Sequence, residues 1–88
     1  MTKGNLDEFK AWEASLYATK EQIEERCRAF SNALQYCDAY MKDPQSQAFL
    51  QRGKDVIQKI RAVLDPIEKE LVRVRKIIAI MEESDFAM

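Results

Sequence analysis

Two matched heptad ladders constrain this chain more than any other feature. Phe9, Leu16, Ile23, Phe30 and Cys37 recur every seven residues, as do Leu50, Ile57, Leu64, Leu71 and Ile78, and only Asp43-Pro44 separates the two series. A seven-residue apolar repeat is the period of helices packed side by side. Folded back at Asp43-Pro44, the ladders meet rung for rung: Cys37 with Leu50, Phe30 with Ile57, Ile23 with Leu64, Leu16 with Leu71 and Phe9 with Ile78. Each pair of residue numbers sums to 87, as an antiparallel hairpin with its tip at residues 43 and 44 requires. The sequence therefore predicts an all-α fold, an antiparallel helical hairpin with helices near residues 6–41 and 44–83, in a single domain spanning 1–88.

The ends of both helices are encoded locally. Asn5 is a suitable N-cap for a first helix starting at Leu6, with Asp7 and Glu8 near the positive end of the helix dipole. Its apolar stripe reads Phe9, Trp12, Leu16, Thr19, Ile23, Cys27, Phe30, Leu34, Cys37, Met41. The two consecutive steps of four that meet at Ile23 form a stutter, and Trp12 and Thr19 are placed in the core with Glu13 and Lys20 at its edge. A residue before proline is pushed out of the α region, so Asp43 ends the first helix and, with Pro44, serves as N-cap and N1 of the second. That second helix carries Leu50, Gly53, Ile57, Ile60, Leu64, Ile67, Leu71, Val74, Ile78 and Met81 in unbroken 3-4 order. Gly53, opposite Leu34, lets the helices approach closely. Pro66 removes a hydrogen bond inside this run; a kinked helix is favoured over two separate ones because the heptad phase crosses it unchanged. Ser84 to Met88 are expected to fray.

Composition narrows the function classes. The chain of 88 residues has 33% charged residues but a net charge of −1, so no concentrated basic surface is present for nucleic acid, and a nucleic-acid role is not expected. Lys69, Arg73 and Lys76, with Arg75 beside them, make one basic stripe, but Glu68, Glu70, Glu82 and Glu83 lie close by and mark a solvated outer face. There is no histidine, which removes His-dependent triads and most mixed-ligand metal sites. No Cys-x-x-Cys, Gly-rich phosphate loop or Gly-x-Ser-x-Gly elbow occurs. Glu21, Glu24 and Glu25 fall among Lys20, Arg26 and Arg28 on the polar side. No catalytic, metal or cofactor-binding residue is assigned, no cofactor is expected, and the chain reads as a non-enzyme.

Cys27 and Cys37 are ten residues apart on one helix, about 15 Å at the usual rise, too far for a bond between them. Their Cys-x9-Cys spacing resembles half of a twin Cys-x9-Cys mitochondrial import domain, whose second pair is missing. Reduced thiols in a cytosolic protein are the better reading. No run is long and apolar enough to span a bilayer, and the N-terminus is too polar for a signal peptide, which points to the cytoplasm with leaderless export left open.

Each helix carries more apolar surface than its partner can cover. Ala29, Ala33, Tyr36 and Tyr40 flank the stripe of the first helix, and Phe49, Val56, Val63 and Ile77 flank that of the second. Faces this wide belong to a bundle, so association is expected, with itself as a dimer or with another helical protein as a hetero-complex. The interface is placed on Ala29, Ala33, Tyr36, Tyr40, Phe49, Val56 and Val63, near the turn. Tyrosines on a flanking row, with apolar faces and wettable hydroxyls, suit such anchors.

A long helical hairpin continuing past its turn through Gln45-Ser46-Gln47-Ala48-Phe49 resembles the WXG100 or ESAT-6-like proteins of type VII secretion and their small helical partners. Asp43-Pro44 stands where that family has its Trp-x-Gly turn, the single Trp is at position 12, and the family's C-terminal Tyr-x-x-x-Asp/Glu signal has its letters only at Tyr17 and Glu21, inside the first helix. Small type III secretion chaperones and needle subunits share the hairpin shape. The resemblance implies a hairpin that pairs with a second helical protein as a secretion-associated adaptor, chaperone or export partner. The alternative expectation is a phage or mobile-element inhibitor that occludes a host protein through the same surface; a DNA mimic would be far more acidic.

Overall fold

The computed structural model describes the backbone of residues 3–87 and the side chains of residues 4–84. It is an antiparallel hairpin of two α-helices, α1 (Lys3–Tyr40) and α2 (Pro44–Ala87), forming a rod of 68 × 15 × 15 Å. The turn is held from both sides. Asp43 caps α2: the Ser46 amide donates to Asp43 Oδ2 at 3.1 Å and the Ser46 hydroxyl to Oδ1 at 2.6 Å, which supplies a partner for an otherwise orphaned first-turn N–H. The bond from the Ser46 hydroxyl, then that from its amide, holds the Asp43 carboxyl below the usual aspartate range. Gln47, one turn into α2, donates through Nε2 to the Met41 carbonyl at 2.7 Å and to Asp38 Oδ1 at 3.2 Å, so α2 also satisfies the end of α1.

The register matches the sequence ladder. A Cβ on Gly53 would lie 2.9 Å from both Leu34 methyls, so the missing side chain is what lets α2 close onto α1 at this level. Two buried clusters flank that contact. Leu34, Leu50 and Ile57, with Cys37 against them, fill the turn end. Leu16, Leu71, Val74 and Ile78, with Leu6, Phe9 and Ile67, fill the open end. Between them the seam thins: Cys27 is buried, but Phe30 and Ile60 are each 39% exposed.

Three local expectations are corrected. The first helix already includes Asn5, which is therefore not its N-cap, because α1 begins at Lys3; a cap preference of about 1 kcal/mol does not stop a helix that can add another turn. Trp12 and Thr19 are exposed, while Glu13 and Lys20 take half-buried positions on the seam. The stripe of α1 is thus Leu6, Phe9, Glu13, Leu16, Lys20, Ile23, Cys27, Phe30, Leu34, Cys37, a regular alternation without a stutter. Pairing along a straight hairpin requires one constant phase, and this requirement outweighs the apolarity of Trp12. The expectation of one helix across Pro66 in place of two holds: α2 runs through it unbroken. Pro66 and Ala62 are exposed, so water can reach the Ala62 carbonyl that loses its donor. Finally, α2 remains helical to Ala87 where fraying was expected from Ser84, and Met88 lies outside the described residues.

Candidate functional site

Once the seam is placed, each helix has two rows beside it, and the hairpin has two flanks of opposite character. One flank is polar. Lys10 Nζ meets Glu82 Oε1 at 3.0 Å, Glu13 Oε2 meets Arg75 Nε at 3.7 Å, and the Tyr17 ring has Lys20 Nζ and the Arg75 guanidinium each 5.9 Å from its centroid. These pairs identify the side of the rod on which Lys10, Tyr17 and Glu24 of α1 run level with Glu82, Arg75 and Glu68 of α2. Exposed pairs of this kind contribute about 0–1 kcal/mol each; their larger effect is to keep that flank wet.

The opposite flank is apolar near the turn and mixed toward the open end. On the register set by Leu34 and Gly53, it places Tyr40 level with Phe49, Ala33 with Val56, Arg26 with Val63, Thr19 with Glu70 and Trp12 with Ile77. Ala29 and Tyr36 lie in the next row out. Tyr40 is 73% exposed, Tyr36 69%, Phe49 60%, Val63 50% and Trp12 48%. The Tyr36 and Tyr40 rings lie 4.8 Å apart at an interplanar angle of 45°, one helical turn apart and already organised as a pair. Midway along the flank, a groove of about 250 Å³ opens between the helices, lined by Ile23, Arg26, Cys27, Phe30, Ile57 and Ile60. It lies where the seam is thin, between the two buried clusters.

All seven residues assigned to the interface from the sequence, Ala29, Ala33, Tyr36, Tyr40, Phe49, Val56 and Val63, are exposed and lie along this flank. The hairpin does not consume them as core. Sequence reasoning missed Trp12, assigned to the core, and the half-exposed Phe30 and Ile60, assigned to interior rungs. The signal for Trp12 was the row Met41, Leu34, Cys27: carried back in steps of seven, it reaches Lys20, Glu13 and Leu6, which leaves Trp12 outside.

Chemically, such a surface can exclude water against another apolar surface. Among the described residues no three Cys, Asp or Glu side chains gather in a metal-holding group. Cys27 and Cys37 are free thiols. No described helix is long and apolar enough to cross a membrane. No family model, curated protein or solved structure matches the chain.

Proposed function

We propose that this chain is a non-enzymatic protein-interaction module whose apolar flank docks against helices, acting as a secretion-associated adaptor, chaperone or export partner. The observation that supports the docking role is the segregation of the rod: one flank carries ion pairs, and the other carries exposed Trp12, Tyr36, Tyr40, Phe49, Val56 and Val63. Isolated apolar side chains on a surface are ordinary; Tyr36, Tyr40, Phe49, Val56 and Val63 instead gather at the turn end, with Arg26, Thr19 and Glu70 separating them from Trp12, and such a gathered patch is the mark of an interaction site. The secretion setting rests on the likeness of the hairpin to the WXG100 proteins and their helical partners.

The docking role is tested by Ala33→Glu, which puts a carboxylate in the middle of the strip on a side chain that points to solvent in the hairpin. Association is expected to be lost while the far-ultraviolet helical signal persists, because a buried unpaired carboxylate opposes the contact and the seam is untouched. Loss of both together would make the strip part of the hairpin's own core and end the reading. The setting is tested by co-expression with the products of neighbouring genes: a stable complex with a secreted toxin supports an export partner, whereas a complex with a defence or housekeeping protein that loses activity on binding supports a mobile-element inhibitor instead.

A further inference from the structure

We infer that the occupant of the apolar flank is a second copy of this chain, laid alongside the first with the two turns at the same end. The inference rests on the reading of that flank as a docking surface and names what docks there.

Area is the first argument. The chain exposes 6844 Å², whereas a compact monomer of 10.3 kDa exposes about 5,400 Å². The surplus of about 1,500 Å² exceeds the roughly 800 Å² that each partner gives to a standard interface. It arises because each helix has only one neighbour. A second hairpin on the apolar flank gives each helix two neighbours and removes the surplus from both copies through one isologous contact.

Layer matching selects the orientation. A two-fold axis along the rod lays α1 of one copy on α2 of the other at the same height. Tyr36 and Tyr40 then meet Phe49, Ala33 meets Val56, Trp12 meets Ile77, and the polar layer of Thr19 and Glu70 meets itself. The second copy's Val63 comes level with Arg26, at the mouth of the central groove, and the long Arg26 side chain can hold its guanidinium at the wet rim. The reversed arrangement, with the axis across the rod, must centre on Arg26 and Val63 to overlap the strips fully. It sets Glu70 against Ala33 and Val56, and brings Arg52 beside the second copy's Arg73. Arg26 stacked on the second copy's Arg26 and Arg52 beside its Arg73 set like charges side by side, and the Glu70–Arg73 ion pair is pressed onto alkyl surface; all three oppose it.

The test uses the unmodified chain, with light and ¹⁵N-labelled protein mixed, treated with an amine cross-linker and weighed by light scattering. Lys42 sits at the turn, just past the end of α1, and Lys10 near the open end, about 48 Å away at the helical rise, so a link between them can form only between copies. The expected result is twice the mass of 10.3 kDa at micromolar concentration, with light-to-heavy links joining Lys42 to Lys42. Dominant Lys42-to-Lys10 links would overturn the turn-to-turn arrangement. A mass of one chain would overturn the second copy as occupant while leaving the flank free to dock a different protein. Ala33→Glu should halve the mass; a variant that keeps the doubled mass would place the contact elsewhere and overturn both readings.

Discussion

Gly53 and Leu34 form the one contact that a single atom would disturb. The Cβ of Gly53→Ala meets both Leu34 methyls at 2.9 Å, and overpacking of this kind costs about 1–3 kcal/mol, against about 1 kcal/mol gained from the better helix propensity of Ala. A net loss of about 1 kcal/mol is expected, read as a thermal midpoint about 5 °C lower. With Leu34→Ala already in place, the same substitution should gain stability instead; additive effects would mean that the two residues do not face each other and that the register is wrong. Lys20 makes a different residue-scale point. It sits on the seam level with Ile67, its side chain 23% exposed and its Nζ 3.6 Å from a Glu24 oxygen. A polar residue at such a position specifies pairing at a cost in stability, so Lys20→Leu should raise stability by about 1 kcal/mol through added apolar burial. A lower midpoint in thermal melts would show that the lysine's stem and its contacts with Glu24 and Tyr17 outweigh that burial.

At the scale of the elements, the turn was legible in the sequence because Asp43-Pro44 combines a backbone restriction with a cap, and both act within a few residues. The start of α1 was not, since a cap preference near Asn5 competes with simple continuation of the helix. The stripe of α1 was misread in its first half for a related reason: Trp12 and Glu13 are adjacent, local hydrophobicity favours Trp12, and only the pairing with a straight α2 forces the constant phase that selects Glu13. The cap also carries a pH dependence. The Asp43 carboxyl titrates below the usual aspartate range in the folded chain because of Ser46, so the unfolded chain takes up its proton first as the solution is acidified. The contribution is fully present above the ordinary aspartate pKa and disappears as pH falls through the lower folded value. Comparing Ser46→Ala with the parent in thermal melts, the gap between them should be wide at neutral pH and close in acid; a gap that stays constant would detach the cap from the carboxylate.

For the whole molecule, the hairpin and its register followed from spacing alone, and so did the exposure of the seven flanking residues, because a repeat of seven reports both the seam and the rows beside it. The sidedness of the rod was harder to see. It depends on which residues of α1 run level with which residues of α2 across a distance of dozens of positions, and only the ion pairs Lys10–Glu82 and Glu13–Arg75 identify the wet flank. One consequence lies in the two thiols. Cys37 is partly accessible near the turn, whereas Cys27 is 5% exposed on the wall of the groove at the thin middle of the seam, where a reagent gains full access to the sulfur once the helices part. The chain thus carries a built-in gauge of its own breathing. Alkylation should modify Cys37 quickly and Cys27 slowly, with the slow rate following the opening equilibrium at the midpoint of the rod. A companion bound over the groove should slow Cys27 further and leave Cys37 nearly unchanged; equal protection of both would mean that binding stiffens the entire hairpin and not its centre.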